Sequence, residues 1–135
     1  MEYLVQTIRV VAAVIEQSDF VLVAERSDSM RHSGLWEFPG GKVEATETDE
    51  QALRREIAEE IGAEIQPIAL LHEHTHAYPD VAIRLVSWLC AITSGTPVAK
   101  EHARIRWLEI SKLRELDWVE ADIPVVEALM RLRST

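Results

Sequence analysis

The sequence predicts an α+β fold, or a mixed sheet lying between helices. Strand-like segments come in runs. Only a few helical segments interrupt them. No regular βαβ alternation appears along the chain. The first helical segment carries a start signal, an apolar stripe and a stop signal, and a second amphipathic segment closes the chain.

The elements follow in order. Residues 7–16, TIRVVAAVIE, read as a strand apolar on both faces, as buried strands are. Ser18 and Asp19 signal a turn, and 20–26, FVLVAER, supply a hairpin partner. Residues 27–35 are polar loop, and FPGG at 38–41 reads as a turn or loop. Thr48 followed by Gln51 resembles a capping box, with Asp49 and Glu50 suited to a first turn. Leu53, Ile57 and Ile61 recur every fourth residue, and Gly62 falls where a C′ glycine belongs, so the helix covers about 48–61. Residues 68–77 and 82–92 read as strands joined by a turn at Pro79 and Asp80. ARIRWLEI at 103–110 alternates as a further strand, and Ser111 begins a short helix. ADIPVVEALMRLR at 121–133 is a closing amphipathic helix with Asp122 near its start and Pro124 in its first turn.

Composition narrows the function. A chain of 135 residues is long enough to bury a core and is read as one domain, 1–135, since no repeat or low-complexity linker divides it. A net charge of −9 argues against a surface that clamps a nucleic-acid polymer or an anionic membrane. An acidic protein that binds a polyanion needs a cation as intermediary. The single cysteine, Cys90, excludes an intrachain disulfide, and its apolar neighbours suggest a buried, inert thiol. A reducing cytoplasm fits. No apolar run is long enough to span a membrane, and MEYLVQTIRV lacks the features of a leader.

REIAEEIG, 55–62, carries the chemistry. Glu56, Glu59 and Glu60 stand at i, i+3 and i+4, so a helix crowds all three onto one face. Like charges at that spacing cost about 0.2–0.5 kcal/mol per pair. The bland reading is a solvated face in which Arg55 pairs with Glu59. Yet the stripe belongs to a longer ordered pattern through Gly41, Glu47, Arg55, Glu56, Glu59, Glu60 and Gly62, with Ile57 as its apolar member. Chance gives such a set on the order of once in 10^8 start positions. Three carboxylates on one face make an oxygen-rich site for Mg²⁺ or Mn²⁺, an ion type that commonly bridges substrate phosphates. Gly40 and Gly41 allow a tight turn just before the helix, where a backbone carbonyl adds an oxygen. Glu47 is placed to position a water or a second ion. Arg55, with its planar fork, orients a carboxylate.

The stretch GKVEATETDEQALRREIAEEIGA, 23 residues, resembles the Nudix box, the signature of the Nudix hydrolase superfamily. One position departs: Ala63 stands where a larger aliphatic is usual, with Ile65 near enough to fill the space. The resemblance implies the Nudix fold, an α/β/α sandwich, and cleavage of a nucleoside diphosphate linked to another group. Beyond the box, GLWEFPGGKVE, KEHARIRWLEISKL and EADIPVVEALMRLR are similar to MutT-type triphosphate pyrophosphohydrolases, including relatives that act on cytidine triphosphates. By that resemblance the Gly40 carbonyl, Glu56, Glu59, Glu60 and Glu101 match metal-binding positions. Glu56 is the candidate base for the attacking water, with Glu101 its rival. Arg26 and Asp122 match base-contacting positions, and Glu37 and Phe38 in the lead-in join the substrate side. The MutT pattern has asparagine where Asp122 stands. Asp accepts from the amino group of cytosine or from the ring N–H groups of an oxidised guanine.

The leading expectation is therefore a nucleoside triphosphate pyrophosphohydrolase that sanitises the nucleotide pool, with oxidised dGTP (8-oxo-dGTP) first. CTP or a 5-substituted dCTP comes second. Hydrolysis of ADP-ribose or a dinucleotide polyphosphate is a third reading. From another class comes a non-catalytic nucleotide-sensing module, against which the intact carboxylates count. The partner is the triphosphate alone, with the protein a monomer or homodimer. His72, His74 and His76 alternate on a strand at a spacing that suits Zn²⁺, but without a fourth ligand they read as surface or substrate-side polar positions. Tyr78, at a strand end, is favoured over Phe38 for stacking on a base. Trp88 and Trp107 read as core, and Trp36 as a loop residue bordering the pocket.

Overall fold

The computed structural model describes residues 6–134. Residues 1–5, read above for a leader, lie outside them. Seven strands form one mixed sheet: β1 (Thr7–Gln17), β2 (Phe20–Glu25), β3 (Trp36–Glu37), β4 (Gly40–Lys42), β5 (Glu64–Ala77), β6 (Ala82–Ser94) and β7 (Arg104–Glu109). Two α-helices, α1 (Asp49–Ile61) and α2 (Ile123–Leu132), flank it, and two 3₁₀ turns (Ile110–Glu115 and Glu120–Asp122) lie between β7 and α2. The long β1 organises the sheet. One edge pairs in parallel with β6, and the other pairs antiparallel with β4 and then β2. The β5–β6 hairpin closes one side, and β2 carries both β3 and β7.

The sheet lies between the helices because β1 is apolar on both faces. Val11, Ala13 and Ile15 join Leu53, Ile57 and Ile61 of α1 in one core. Ala12 and Val14 join Val125, Val126 and Leu129 of α2 in the other. Each fully buried Leu, Ile or Val contributes about 1.5–3 kcal/mol. Both ends of α1 follow the sequence pattern. The Thr48 hydroxyl accepts from the Gln51 backbone N–H at 3.1 Å and the Gln51 side-chain Oε1 accepts from the Thr48 N–H at 2.9 Å, while Gly62 turns left-handed at φ 72°. Ala63 and Ile65 are both buried in the α1 core, where Ile65 supplies the bulk.

Four expectations need correction. FPGG is not simply a loop: Gly40 and Gly41 begin β4, which pairs with Val11 and Ala12. A Cβ on Gly40 would collide with the Val11 carbonyl oxygen, so glycine serves close strand approach there rather than a turn. β5 begins at Glu64 instead of 68 and contains Pro67, which is tolerated because β5 is an edge strand with a register shift there. The last helix starts at Ile123, after a 3₁₀ turn that contains Asp122. Trp36 is a buried strand residue beneath Arg104 and Arg106, not a pocket-bordering loop residue. No helix among the described residues is long and apolar enough to cross a membrane.

Candidate functional site

The helical spacing of α1 places Glu56, Glu59 and Glu60 on one face, and Arg55 organises it. Its Nε and Nη2 donate to the two oxygens of Glu47 at 2.6 and 2.8 Å. Its Nη1 donates to Glu56 at 2.8 Å and reaches Glu59 at 3.4 Å, and Nη2 also donates to the Lys42 carbonyl oxygen at 3.1 Å. Glu47 thus serves first as the partner of Arg55. Arg55 occupies both its oxygens, and the Glu44 N–H donates to one of them. Those bonds hold its carboxyl down at about 2. Glu47 anchors Arg55, which fixes the direction of Glu56.

Gly41 explains the other side of Glu56. A Cβ at Gly41 would overlap the Glu56 carboxylate, so the carboxylate lies directly against bare backbone. Burial raises the Glu56 pKa, and the Arg55 hydrogen bond opposes the shift. Glu60 is buried deeper. Burial first, then the charges of Glu37, Glu56 and Glu101, push its pKa up to about 9, with the Gly40 backbone favouring the charged form. Its Oε2 has no hydrogen-bond partner among the described residues. Such a buried, orphaned oxygen in an acidic cluster suits the ligand set of a divalent cation. Glu101 reaches the cluster because its segment is tied to the end of α1: the Val98 N–H donates to the Ile61 carbonyl oxygen at 2.8 Å and the Lys100 N–H to that of Glu60 at 3.1 Å.

A separate cleft of about 210 Å³ opens beside this face, lined by Arg26, Glu37, Tyr78 and Asp122 together with Val10 and Leu85. Asp122 is held by the Phe38 N–H, which donates to it at 2.8 Å. Burial, and then the charge of Glu37, raise its pKa well above the usual carboxylate range. Tyr78 stacks on His32 with ring centroids 5.5 Å apart. Phe38 does not offer its ring to the cleft: it is buried against Trp118, 4.9 Å between centroids, and only its N–H supports the site through Asp122. The oxygens of Glu37 are engaged, one by Arg26 Nη1 at 2.8 Å and the other by His102 Nε2 at 2.8 Å.

The structure adds His102 to the site. Nothing in its spacing marks it, since a single histidine in a polar stretch looks like loop. Its side chain is fully buried, and with Glu37 and Glu60 it forms a group whose ligand-type atoms lie within 4.8 Å of one another. Among the described residues, His72, His74 and His76 do not converge in that way. Trp88 and Trp107 are half-buried against the α1 core. Burial pushes the Cys90 thiol up to about 12, which makes it inert.

Comparison with known proteins agrees with this arrangement. The NUDIX domain family matches residues 6–129. The chain is 39% identical over 127 residues to the CTP pyrophosphohydrolase of Escherichia coli strain K12, covering 94% of each chain. It is 33% identical over 122 residues to the 8-oxo-dGTP diphosphatase of the same strain, covering 90% of this chain and 95% of that one. The solution structure of the E. coli ORF135 protein superposes with a TM-score of 0.84 at 37% identity, covering 96% of this chain and 93% of that one. An acidic helix face of the expected spacing, set on a mixed sheet between helices, and a family match over almost the whole chain show together that this protein belongs to the Nudix hydrolases.

Proposed function

We propose that the chain is an Mg²⁺- or Mn²⁺-dependent pyrophosphohydrolase of nucleoside triphosphates, cleaving them to the monophosphate and pyrophosphate. One observation carries the reading: an acidic face with an orphaned carboxylate oxygen lies beside a cleft whose floor is a buried carboxyl, and Glu37 borders both. Glu56, Glu59, Glu60 and Glu101, with the Gly40 carbonyl, would hold the divalent ion. When bound, such an ion neutralises polyphosphate charge and eases proton loss from water. Glu56, aimed by Arg55, accepts the proton of the water that attacks the β-phosphorus. Tyr78 stacks on the base, and Arg26 and Asp122 read its edge.

Oxidised dGTP is the first substrate. Burial favours a protonated Asp122, which both donates and accepts. An oxidised guanine offers a ring N–H beside a carbonyl oxygen, which complements that pair. Cytosine offers an amino group beside a ring nitrogen and complements it too. CTP or a 5-substituted dCTP is therefore the second reading, favoured by the likeness to the CTP pyrophosphohydrolase over 94% of the chain. A panel of oxidised dGTP, dGTP, CTP and 5-methyl-dCTP with Mg²⁺, scored as kcat/KM, separates them. The expected products are monophosphate and pyrophosphate, with oxidised dGTP turned over best. Absence of pyrophosphate from every triphosphate, or faster cleavage of ADP-ribose, overturns the proposal.

A further inference from the structure

The acidic face and the base cleft are not independent. A chain of side chains runs between them: Arg26 Nη1 to Glu37 Oε1 at 2.8 Å, Glu37 Oε2 to His102 Nε2 at 2.8 Å, and His102 Nε2 to Glu60 Oε1 at 3.9 Å. We propose that His102 is a positioning residue, whose Nε2–H fixes Glu37 and whose ring, wedged beside Glu60, couples the base cleft to the metal-holding face. The inference rests on the functional reading given above.

Three observations support it. Glu37, paired with Arg26 through Oε1, offers an acceptor at Oε2, so the ring nitrogen 2.8 Å from it is the natural donor. The imidazole is fully buried, with no partner at Nδ1 among the described residues, so its one hydrogen bond inside the protein is spent on Glu37. Its backbone is fixed from both sides. The Lys100 N–H donates to the Glu60 carbonyl oxygen at 3.1 Å, and the Ala103 N–H donates to the Glu25 carbonyl oxygen at 2.9 Å. The segment thus spans from the acidic end of α1 to the strand that leads to Arg26. Without this donor, Glu37 loses the partner of its Oε2 and is free to turn, and Glu60 loses the fixed neighbour beside its Oε1. Residues that orient ligands commonly change metal affinity by about 10–100-fold when replaced.

The test compares His102→Gln, His102→Asn and His102→Leu, with Mn²⁺ alone as the probe, titrated into nucleotide-free protein. The glutamine amide reaches the position of Nε2, whereas the asparagine amide reaches only that of Nδ1. His102→Gln is expected to bind Mn²⁺ within about threefold of wild type. His102→Asn and His102→Leu are expected to bind about tenfold or more weakly at unchanged stoichiometry. Equal affinity in wild type and a folded His102→Asn protein overturns the proposal. So does loss of one whole Mn²⁺ equivalent in the Asn and Leu variants, because His102 is then itself a ligand. Should His102→Leu fail to fold, the Gln and Asn pair decides. Wild-type protein that neither takes up Mn²⁺ nor cleaves triphosphates contradicts the functional reading instead. A wild type that does both while the variants match it contradicts only the role of His102.

Discussion

Glu56→Gln is expected to lower kcat by about 10²–10⁴-fold while the fold and nucleotide KM stay close to wild type. The amide keeps an oxygen for Arg55 Nη1, so the hydrogen bond that aims the side chain survives. What disappears is the capacity to take a proton, together with one negative charge of the face proposed to hold the ion. Burial of Glu56 favours its neutral form and Arg55 opposes this, which suits a group that gains and releases a proton at each turnover. Gly41→Ala tests the same carboxylate from the backbone side. Its methyl group falls in the space of the Glu56 carboxylate, and a displacement of about 1 Å costs about 10²-fold. Steady-state kinetics, with circular dichroism to confirm folding, checks both. Unchanged turnover in Glu56→Gln, with loss in Glu101→Gln, would transfer the base role to Glu101.

The metal-free protein is expected to lose stability as pH rises, and a divalent ion to restore it. The Glu60 pKa is raised to about 9 from an ordinary 4.5, so the folded state keeps a proton that the unfolded chain has released. Stability from this group is greatest below about 4.5 and is lost as pH climbs towards about 9. Asp122 is shifted upward as well and acts in the same direction. Glu47, held down at about 2, works oppositely, but its window lies below the ordinary carboxylate range. A cation bound at the deprotonated cluster replaces the missing proton and stabilises the folded form. Calorimetric Tm values across that window should therefore fall without metal and flatten with Mg²⁺. Glu60→Gln should reduce the slope and leave the part that Asp122 contributes. A metal-free Tm independent of pH contradicts this assignment.

The sequence carried the fold where local and tertiary signals coincide. In α1, the Thr48–Gln51 box, the Leu53–Ile57–Ile61 stripe and Gly62 all mark the same helix, and burial agrees with each. β1 was readable because burial on both faces leaves an unbroken apolar run. β4 was not: two glycines signal a turn locally, but Gly40 is needed for close approach to β1, a contact between distant segments. The carboxylates of the acidic face were legible from helical spacing alone. Their supports were only partly so. That Glu47 is consumed by Arg55, that the Phe38 ring packs on Trp118 while its amide holds Asp122, and that His102 meets Glu37 depend on segments far apart in the chain. Aromatic and histidine positions carry no periodic signal that separates core from cleft.

A divalent ion is proposed to relieve the crowding of carboxylates on α1 and to receive the polyphosphate. Isothermal titration of Mn²⁺ into wild-type protein and into a Glu56→Gln, Glu59→Gln, Glu60→Gln triple variant tests this most directly. Wild-type protein should take up the ion with release of protons, and the folded triple variant should not. No uptake by the wild type, with or without a triphosphate present, or equal uptake by both proteins, would contradict it.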